Sequence, residues 1–419
     1  MLKSLLGKID KKGYTSDVIA ILRMNKYRKN KCVNHERIKV VFLCQIVETW
    51  NKVAYVYYKM LENPQFDVEL VCIPNRIKNS VLENAEDLSN ETYDYFISKG
   101  YKAINALKGK NEWVDLRELS PDYVFFIRPY NYFMPEIYYS KNISKYAKTC
   151  CLLYAINTMQ EVKKHTLNKE FFRYIDYYFA ESESTMNYNI KQLRLGHILK
   201  INVSKYLGSP TLELFIKNSD NIEHSWDFSK NNFRVIWTPR WCTDACLGGS
   251  NFFNYYKWLL EYAKKTPEID FLFRPHPLTF ENFLATGEMT QEEITSFKRE
   301  IEQIHNVELD TNPQYESTFS KSSVLVSDIS SVMVEYFVLG KPIIFCISNM
   351  NLELEDDTKK IVEGCYVVNN REELEERIIQ LKNGNDYMKE KRQKIIAEVF
   401  GNDIQNSTNN IINEIIRNK

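Results

Sequence analysis

Apolar and polar positions alternate along this chain in blocks. Short β-branched or aromatic runs are each followed by a longer stretch with apolar residues three and four apart. Ile38–Cys44 reads as a first strand and Trp50–Leu61 as the helix after it. Val68–Ile73, Tyr123–Ile127, Cys150–Tyr154 and Tyr177–Ala180 read as further strands, and Tyr93–Lys99 fits helix or strand. The runs close on turn residues or polar elbows, such as Pro74-Asn75 and Arg128-Pro129-Tyr130-Asn131. Strands alternating with helices predict a parallel sheet covered on both faces, with ligands collected at the C-terminal strand ends. Arg128, Asn131, Asn157 and Glu181 stand at such ends.

Residues 206–232 are polar and turn-rich, after which the alternation restarts. Phe233–Trp237, Phe271–Phe273, Val307–Leu309, Val324–Val326, Ile343–Phe345 and Tyr366–Val368 read as strands. Asn251–Lys264, with apolar Phe252, Tyr255, Leu259 and Tyr262, reads as a helix, Gln291–His305 as a charged helix and Arg371–Leu381 as a further helix. A helical segment over roughly Asp386–Arg417 closes the chain. The fold expected is α/β, with two Rossmann-like doubly wound domains facing across a cleft. The expected divisions are a basic helical segment over 1–36, a Rossmann-like domain over 37–207, a linker over 208–232, a second Rossmann-like domain over 233–395 and a C-terminal helix over 396–419.

The second half carries the candidate chemistry. In 322–346 a buried strand runs into Ser327-Asp328, then Ser330-Ser331 opens a helix that Gly340 and Pro342 stop. Two readings of that elbow stand side by side: the polar residues only cap the helix, or its free N–H groups receive an anion. Two more elbows follow strands, Thr238-Pro-Arg240-Trp241 and Arg274-Pro-His276-Pro. Arginine's fork of donors suits phosphate, and histidine supplies a proton or hydrogen bond near neutral pH. His276 alone would read as a loop-ordering residue; three cationic or hydroxyl elbows in one sheet favour an anionic, multi-phosphate ligand. Glu335, one turn into the helix, serves either ribose hydroxyls or the helix dipole. No P-loop, glycine-rich dinucleotide turn, zinc motif or serine-hydrolase elbow is present.

Composition narrows the class. At 419 residues two domains are the natural expectation, and 44% hydrophobic residues suffice for two cores. Fifty-five basic against 55 acidic residues give no overall field that would suggest nucleic acid. The nine cysteines lack disulfide or zinc spacing, so buried reduced thiols and a cytoplasmic setting are expected. No apolar run approaches the roughly 18–20 residues of a membrane span, and no signal-peptide core opens the sequence. Residues 1–39 carry eleven Lys or Arg against Asp10, Asp17 and Glu36, with Leu2, Leu5, Leu6 and Ile9 on one helical face. That segment is either a solvated helix packed on its own protein or one lying on an anionic membrane surface.

Trp237-Thr-Pro-Arg-Trp241, Phe273-Arg-Pro-His-Pro277, Ser327-Asp-Ile-Ser-Ser-Val332 and Gly340-Lys-Pro-Ile-Ile-Phe345 together resemble the CDP-glycerol glycerophosphotransferase family of teichoic-acid and capsule biosynthesis. Gly208-Ser-Pro210 and Asp403…Asn406-Ser407 are similar to that family's pre-linker turn and closing helix; the likeness is good over about 230–410 and weaker over 121–210. The resemblance implies a GT-B fold, with a CDP-activated polyol phosphate held by the C-terminal domain and passed to a glycan or lipid-linked acceptor. It matches Arg274 and His276 to the family's Arg-x-His-Pro motif, Ser330 and Ser331 to serines meeting the donor phosphates, and Asp328 to the acid before them. Arg240 joins the phosphate site and His276 is the catalytic candidate, while Arg128 and Asn157 stand on the acceptor side. No cofactor or metal is expected beyond the CDP-polyol substrate, and the place implied is the inner face of the membrane. The chain departs from the family at Leu153-Tyr-Ala-Ile-Asn-Thr158, where the usual Trp-His-Gly-Thr-Pro histidine is missing. A nucleotide-sugar glycosyltransferase and an inactive nucleotide-binding scaffold are the alternative readings.

Overall fold

Apolar runs too short for helices pair as parallel strands in the two large sheets. In the computed structural model, the described residues are 14–30, 36–75, 89–131, 134–217, 231, 233–312, 315–348, 351–401 and 403–418. The chain forms two units: one from residues 1–156, 163–211 and 406–419, the other from 157–162 and 212–405.

The first unit holds β1 (Ile38–Cys44), β2 (Phe66–Cys72), β3 (Ala103–Asn105), β6 (Tyr123–Phe126), β7 (Lys148–Leu152), β8 (Tyr177–Phe179) and β9 (Val203–Lys205), with a small hairpin, β4 (Leu107–Gly109) and β5 (Glu112–Trp113). The sheet order is β3-β2-β1-β6-β7-β8-β9, every pair parallel. Side chains alternate between the two faces: Val40, Phe42 and Cys44 enter one core, and Val41 and Leu43 the other. The three-residue edge strands β3 and β9 escape the sequence reading, because Ala-Ile-Asn and Val-Ser-Lys are too short to show an apolar run. Short edges of this kind blunt a sheet against further pairing.

The second unit holds β10 (Arg234–Thr238), β11 (Asp270–Phe273), β12 (Val307–Leu309), β13 (Val324–Ser327), β14 (Ile343–Cys346) and β15 (Tyr366–Val368), in the order β12-β11-β10-β13-β14-β15. That is the doubly wound pattern, with its reversal between β10 and β13. The predicted stripe Phe252, Tyr255, Leu259 and Tyr262 of helix Phe252–Lys265 is buried in this unit's core.

Two expectations are corrected. The 208–232 linker contains helix Pro210–Lys217, with Leu212 and Phe215 fully buried and Phe215 packed on Tyr315 and Phe319. The Ser-Pro pair that starts it is a regular helix opening; residues 218–230 and 232 lie outside the described residues. The C-terminal helix expected over 396–419 is two helices, Lys389–Phe400 and Ser407–Arg417, parted at Gly401, whose φ is +73°. The second helix joins the first unit, where Ile411, Ile412 and Ile415 enter the core beside Phe42. The tyrosine hydroxyl of Tyr123 donates to the Asn418 carbonyl at 2.7 Å, and Lys205 pairs with Glu414 at 2.6 Å. Of the described cysteines only Cys246 is exposed; the rest are buried, as expected, and none is disulfide-bonded. The predicted face Leu2, Leu5, Leu6 and Ile9 lies outside the described residues, while Tyr14–Asn30 is helical. No helix among the described residues is long and apolar enough to cross a membrane.

Candidate active site at the strand ends of the second unit

The strand order switches between β10 and β13, and α/β sheets place their ligands beyond the C-terminal strand ends at such a point. Asp328, just after β13, organises it. One carboxylate oxygen accepts the backbone N–H groups of Arg240 (2.9 Å) and Asn251 (3.0 Å), and the other accepts from Asn251 Nδ2 (2.8 Å). Burial raises its pKa above the ordinary carboxylate value, and these donors, with the Arg240 charge, offset only part of that rise. Both oxygens are therefore committed inside the protein. The structure corrects the phosphate-binding assignment of Asp328: this side chain holds the β10 loop against the β13 elbow.

Arg240, fixed by that latch, turns its Nη1 to the Ile329 carbonyl at 2.7 Å, beside the serine elbow. Its Nε is buried with no hydrogen-bond partner. Gly248 makes room for it: its φ is +108°, and a Cβ there would stand 2.8 Å from Nε. Burial lowers the Arg240 pKa and Asp328 raises it; a guanidinium nonetheless stays charged at neutral pH. Ser330 caps helix Ser331–Phe337, its hydroxyl accepting from the Met333 N–H at 3.3 Å. Behind it the hydroxyls of Thr238 and Ser327 join β10 to β13 at 2.9 Å. Ser330 and Ser331 are half-buried, so the capping reading holds for Ser330 while the elbow still faces outward.

Neighbouring β11 supplies Arg274 and His276. Arg274 is held on three sides: Nη1 donates to Asp310 (2.6 Å), Nη2 donates to the Asn312 carbonyl (2.7 Å), and its guanidinium lies 4.2 Å from the Tyr315 ring centroid. The Tyr315 hydroxyl in turn donates to Glu335 at 2.5 Å. Glu335 is 1% exposed, and its carboxylate accepts from Tyr315, the ring beneath Arg274.

The His276 ring faces Trp241, centroids 6.1 Å apart, and its Nδ1 accepts from the Leu278 N–H at 3.1 Å. Crowding of the ring by the surrounding loops, then the Arg240 and Arg274 charges, pull its pKa down to about 4, even though the residue as a whole is exposed to solvent. The imidazole is thus neutral at neutral pH. With Nδ1 accepting, the hydrogen sits on Nε2, which presents a donor. A diphosphate placed there would raise the pKa, so binding should take up a proton. Affinity for a nucleotide-diphosphate ligand should strengthen as the pH falls from 7 to 6, by at most about tenfold per unit. Calorimetry at pH 6 in two buffers of different ionisation enthalpy should show uptake by the native chain and none by His276→Gln. Equal heats in both buffers for the native chain would contradict this.

The two acceptor-side candidates fall in different units. Arg128 lies at the other switch point, between β1 and β6 of the first unit, donating to Gln45 Oε1 at 2.8 Å. Asn157, 7% exposed, falls in the 157–162 segment of the second unit, where Met159 bridges to Leu354 and Glu355 N–H donates to the Thr158 carbonyl at 3.0 Å. Sequence reading passed over Asn251, Gly248, Asp310 and Tyr315. The strand-end rule reaches Asp310, since Asp-Thr-Asn follows β12, and the Gly248-Gly249 pair signals a close backbone approach.

Comparison with known proteins fits this layout. The CDP-Glycerol:Poly(glycerophosphate) glycerophosphotransferase family model matches residues 200–417, just over half the chain. The minor teichoic acid biosynthesis protein GgaB of Bacillus subtilis (strain 168) is 28% identical over 163 residues, which are 38% of this chain and 16% of GgaB. This chain therefore matches only a small part of that relative's length. Among solved structures, the UDP-GlcNAc 2-epimerase from Neisseria meningitidis bound to UDP-GlcNAc superposes with a TM-score of 0.57 at 16% identity, over 91% of this chain and 100% of that one. The wall teichoic acid polymerase TagF, as its H548A variant, superposes with a TM-score of 0.57 at 11% identity, over 96% and 95%. At such identities the structural likeness speaks for the fold, a GT-B-like pair of Rossmann-like domains. By the match across β10–β15 and the site elbows they carry, the chain belongs to the CDP-Glycerol:Poly(glycerophosphate) glycerophosphotransferase family.

Proposed function

We propose that this chain transfers a polyol phosphate, glycerol or ribitol phosphate, from a CDP-activated donor to a glycan or lipid-linked acceptor in teichoic-acid or capsule synthesis. The observation that carries this reading is the convergence of Arg240, His276 and the Ser330-Ser331 elbow on three adjacent strand ends, with a buried Arg240 Nε lacking a partner. Arg240 and the elbow hold the diphosphate, and Arg274 adds charge from its clamped position. The acceptor oxygen bonds to the β-phosphorus as the bond to the bridging oxygen breaks, and CMP leaves. The acceptor proton passes to solvent or to a base on the acceptor side. His276 Nε2–H donates a hydrogen bond to the leaving phosphate; with the diphosphate bound, the ring takes a solvent proton on Nδ1, giving up the Leu278 contact, and the imidazolium passes its Nε2 proton to that phosphate and returns to neutral. Catalysis is then positioning plus charge stabilisation at phosphorus.

A second reading, a nucleotide-binding scaffold without turnover, is favoured by the absence of histidine from 153–158. Thermal-shift titration with CMP, CDP-glycerol, CDP-ribitol and UDP-sugars, followed by CMP-release assays, separates the two. Stabilisation by the CDP-polyols with CMP release supports the enzyme; tight binding without turnover on any acceptor supports the scaffold. Preference for UDP-sugars over both CDP-polyols would overturn the donor assignment. Arg240→Met should weaken CDP-glycerol binding by about ten- to a hundredfold by calorimetry, as loss of a charge-assisted phosphate contact does.

A further inference from the structure

The side-chain contacts that hold Arg274 come from Asp310, Asn312 and Tyr315, just beyond β12. The pairing of β11 with β12 continues past both strands. Phe273 is level with Leu309, and the Asp310 N–H donates to the Phe273 carbonyl at 2.8 Å. Arg274 is tied to β10 in the same way, its N–H donating to the Trp237 carbonyl at 2.9 Å. The two residues therefore stand side by side on adjacent strand ends, with both backbones fixed by the sheet. Asp310 divides its carboxylate between two tasks. Oδ2 accepts from Arg274 Nη1 at 2.6 Å, and Oδ1 accepts from the Asn312 N–H at 2.8 Å. The second bond turns the chain so that the Asn312 carbonyl meets Arg274 Nη2.

The Arg274 and Asp310 side chains are only 14% and 10% exposed, so water does not compete freely for the pair. A carboxylate in that place acts on an arriving diphosphate in two opposite ways. Its charge repels the phosphates and offsets the arginine. Its geometry removes in advance the rotamer freedom that Arg274 would otherwise lose on binding. The arrangement favours the second effect. Both Nη groups and one face of the guanidinium are engaged, and Nε has no hydrogen-bond partner among the described residues. The fork is thus fixed in place with one donor uncommitted. We propose that Asp310 is a positioning residue for the donor, holding Arg274 ready for the second phosphate of a nucleoside diphosphate, a role that rests on the donor class proposed above.

Calorimetry of CDP against CMP on the full chain tests it. A residue that only supports the fold weakens both ligands alike and leaves their ratio unchanged. The native chain should prefer CDP. Asp310→Asn leaves one oxygen for two donors, and should lower the CDP-over-CMP preference by about five- to tenfold while CMP affinity stays within about twofold. In the Arg274→Met background the same change should alter the preference by less than about twofold, because the residue it acts through is gone. If Asp310→Asn fails to fold, Asp310→Glu carries the same test, with a loss of about two- to fivefold. An unchanged preference overturns the proposal; so does a rise, which would make Asp310 a charge screen. Equal losses for CDP and CMP, or additive losses in the double variant, overturn it and leave Asp310 a structural residue. No preference for CDP in the native chain overturns it too. CMP release from CDP-polyols is read separately: its absence, with the ratios as expected, overturns the transfer reaction and supports the positioning role.

Discussion

Replacing His276 with alanine should lower the turnover number for polyol-phosphate transfer by about a hundredfold, while CDP-glycerol affinity changes by only a few fold. The asymmetry follows from the geometry. His276 is neutral in the free site and presents one Nε2–H donor, a weak contact to a ground-state diphosphate compared with the guanidinium of Arg240. Its value rises as charge gathers on the departing phosphate, and a contact made mainly in the transition state appears in kcat. His276→Gln keeps a side-chain donor but no transferable proton, so it should retain more activity than alanine if hydrogen bonding dominates and no more if proton transfer does. Single-turnover CMP release for the three proteins decides this. Native-like kcat in the alanine variant would remove His276 from the mechanism.

Asp328→Ala is the second large effect expected, and it falls on stability. The substitution strips the acceptor from the backbone N–H groups of Arg240 and Asn251 and from Asn251 Nδ2, all in a position 2% exposed. Unfolding should become easier by about 3 to 5 kcal/mol, because buried donors without acceptors cost their desolvation outright. Asp328→Asn keeps one acceptor oxygen for the backbone pair and should cost only about 1 kcal/mol. Denaturant titration of the two variants checks the ranking. Equal, small losses would show that the latch does not hold the β10 loop.

The strands of both sheets were largely legible because a strand buried on both faces must be a continuous apolar run. Ile38–Cys44, Val307–Leu309 and Tyr366–Val368 have the boundaries read from their residues alone. What escaped was short or defined by partners far along the chain. Helix Pro210–Lys217 has barely two turns, so Leu212 and Phe215 cannot show a period, and their burial depends on Tyr315 and Phe319. Strands β3 and β9 are edges whose identity comes from the neighbour they pair with. At the site, sequence located the elbows but not the division of labour within them. The resemblance matches Asp328 to the acid before the donor-phosphate serines, and spacing leaves Glu335 between ribose hydroxyls and the helix dipole. Only the fold shows that one faces Asn251 and the other Tyr315. Gly340, read as a helix stop, sits at φ +71° just past helix Ser331–Phe337, a case where local chemistry sufficed.

The central claim is that the second unit's strand-end site delivers a polyol phosphate from a CDP donor. The most direct measurement follows label from CDP-[14C]glycerol and CDP-[14C]ribitol into an acceptor bearing a terminal polyol phosphate, with CMP quantified in parallel, for the native chain and Arg240→Met. The account predicts that one donor labels the acceptor with one CMP released per phosphate transferred, and that Arg240→Met cuts this sharply. Label retained in both donors, together with nucleotide release from a UDP-sugar that Arg240→Met leaves unchanged, would contradict it.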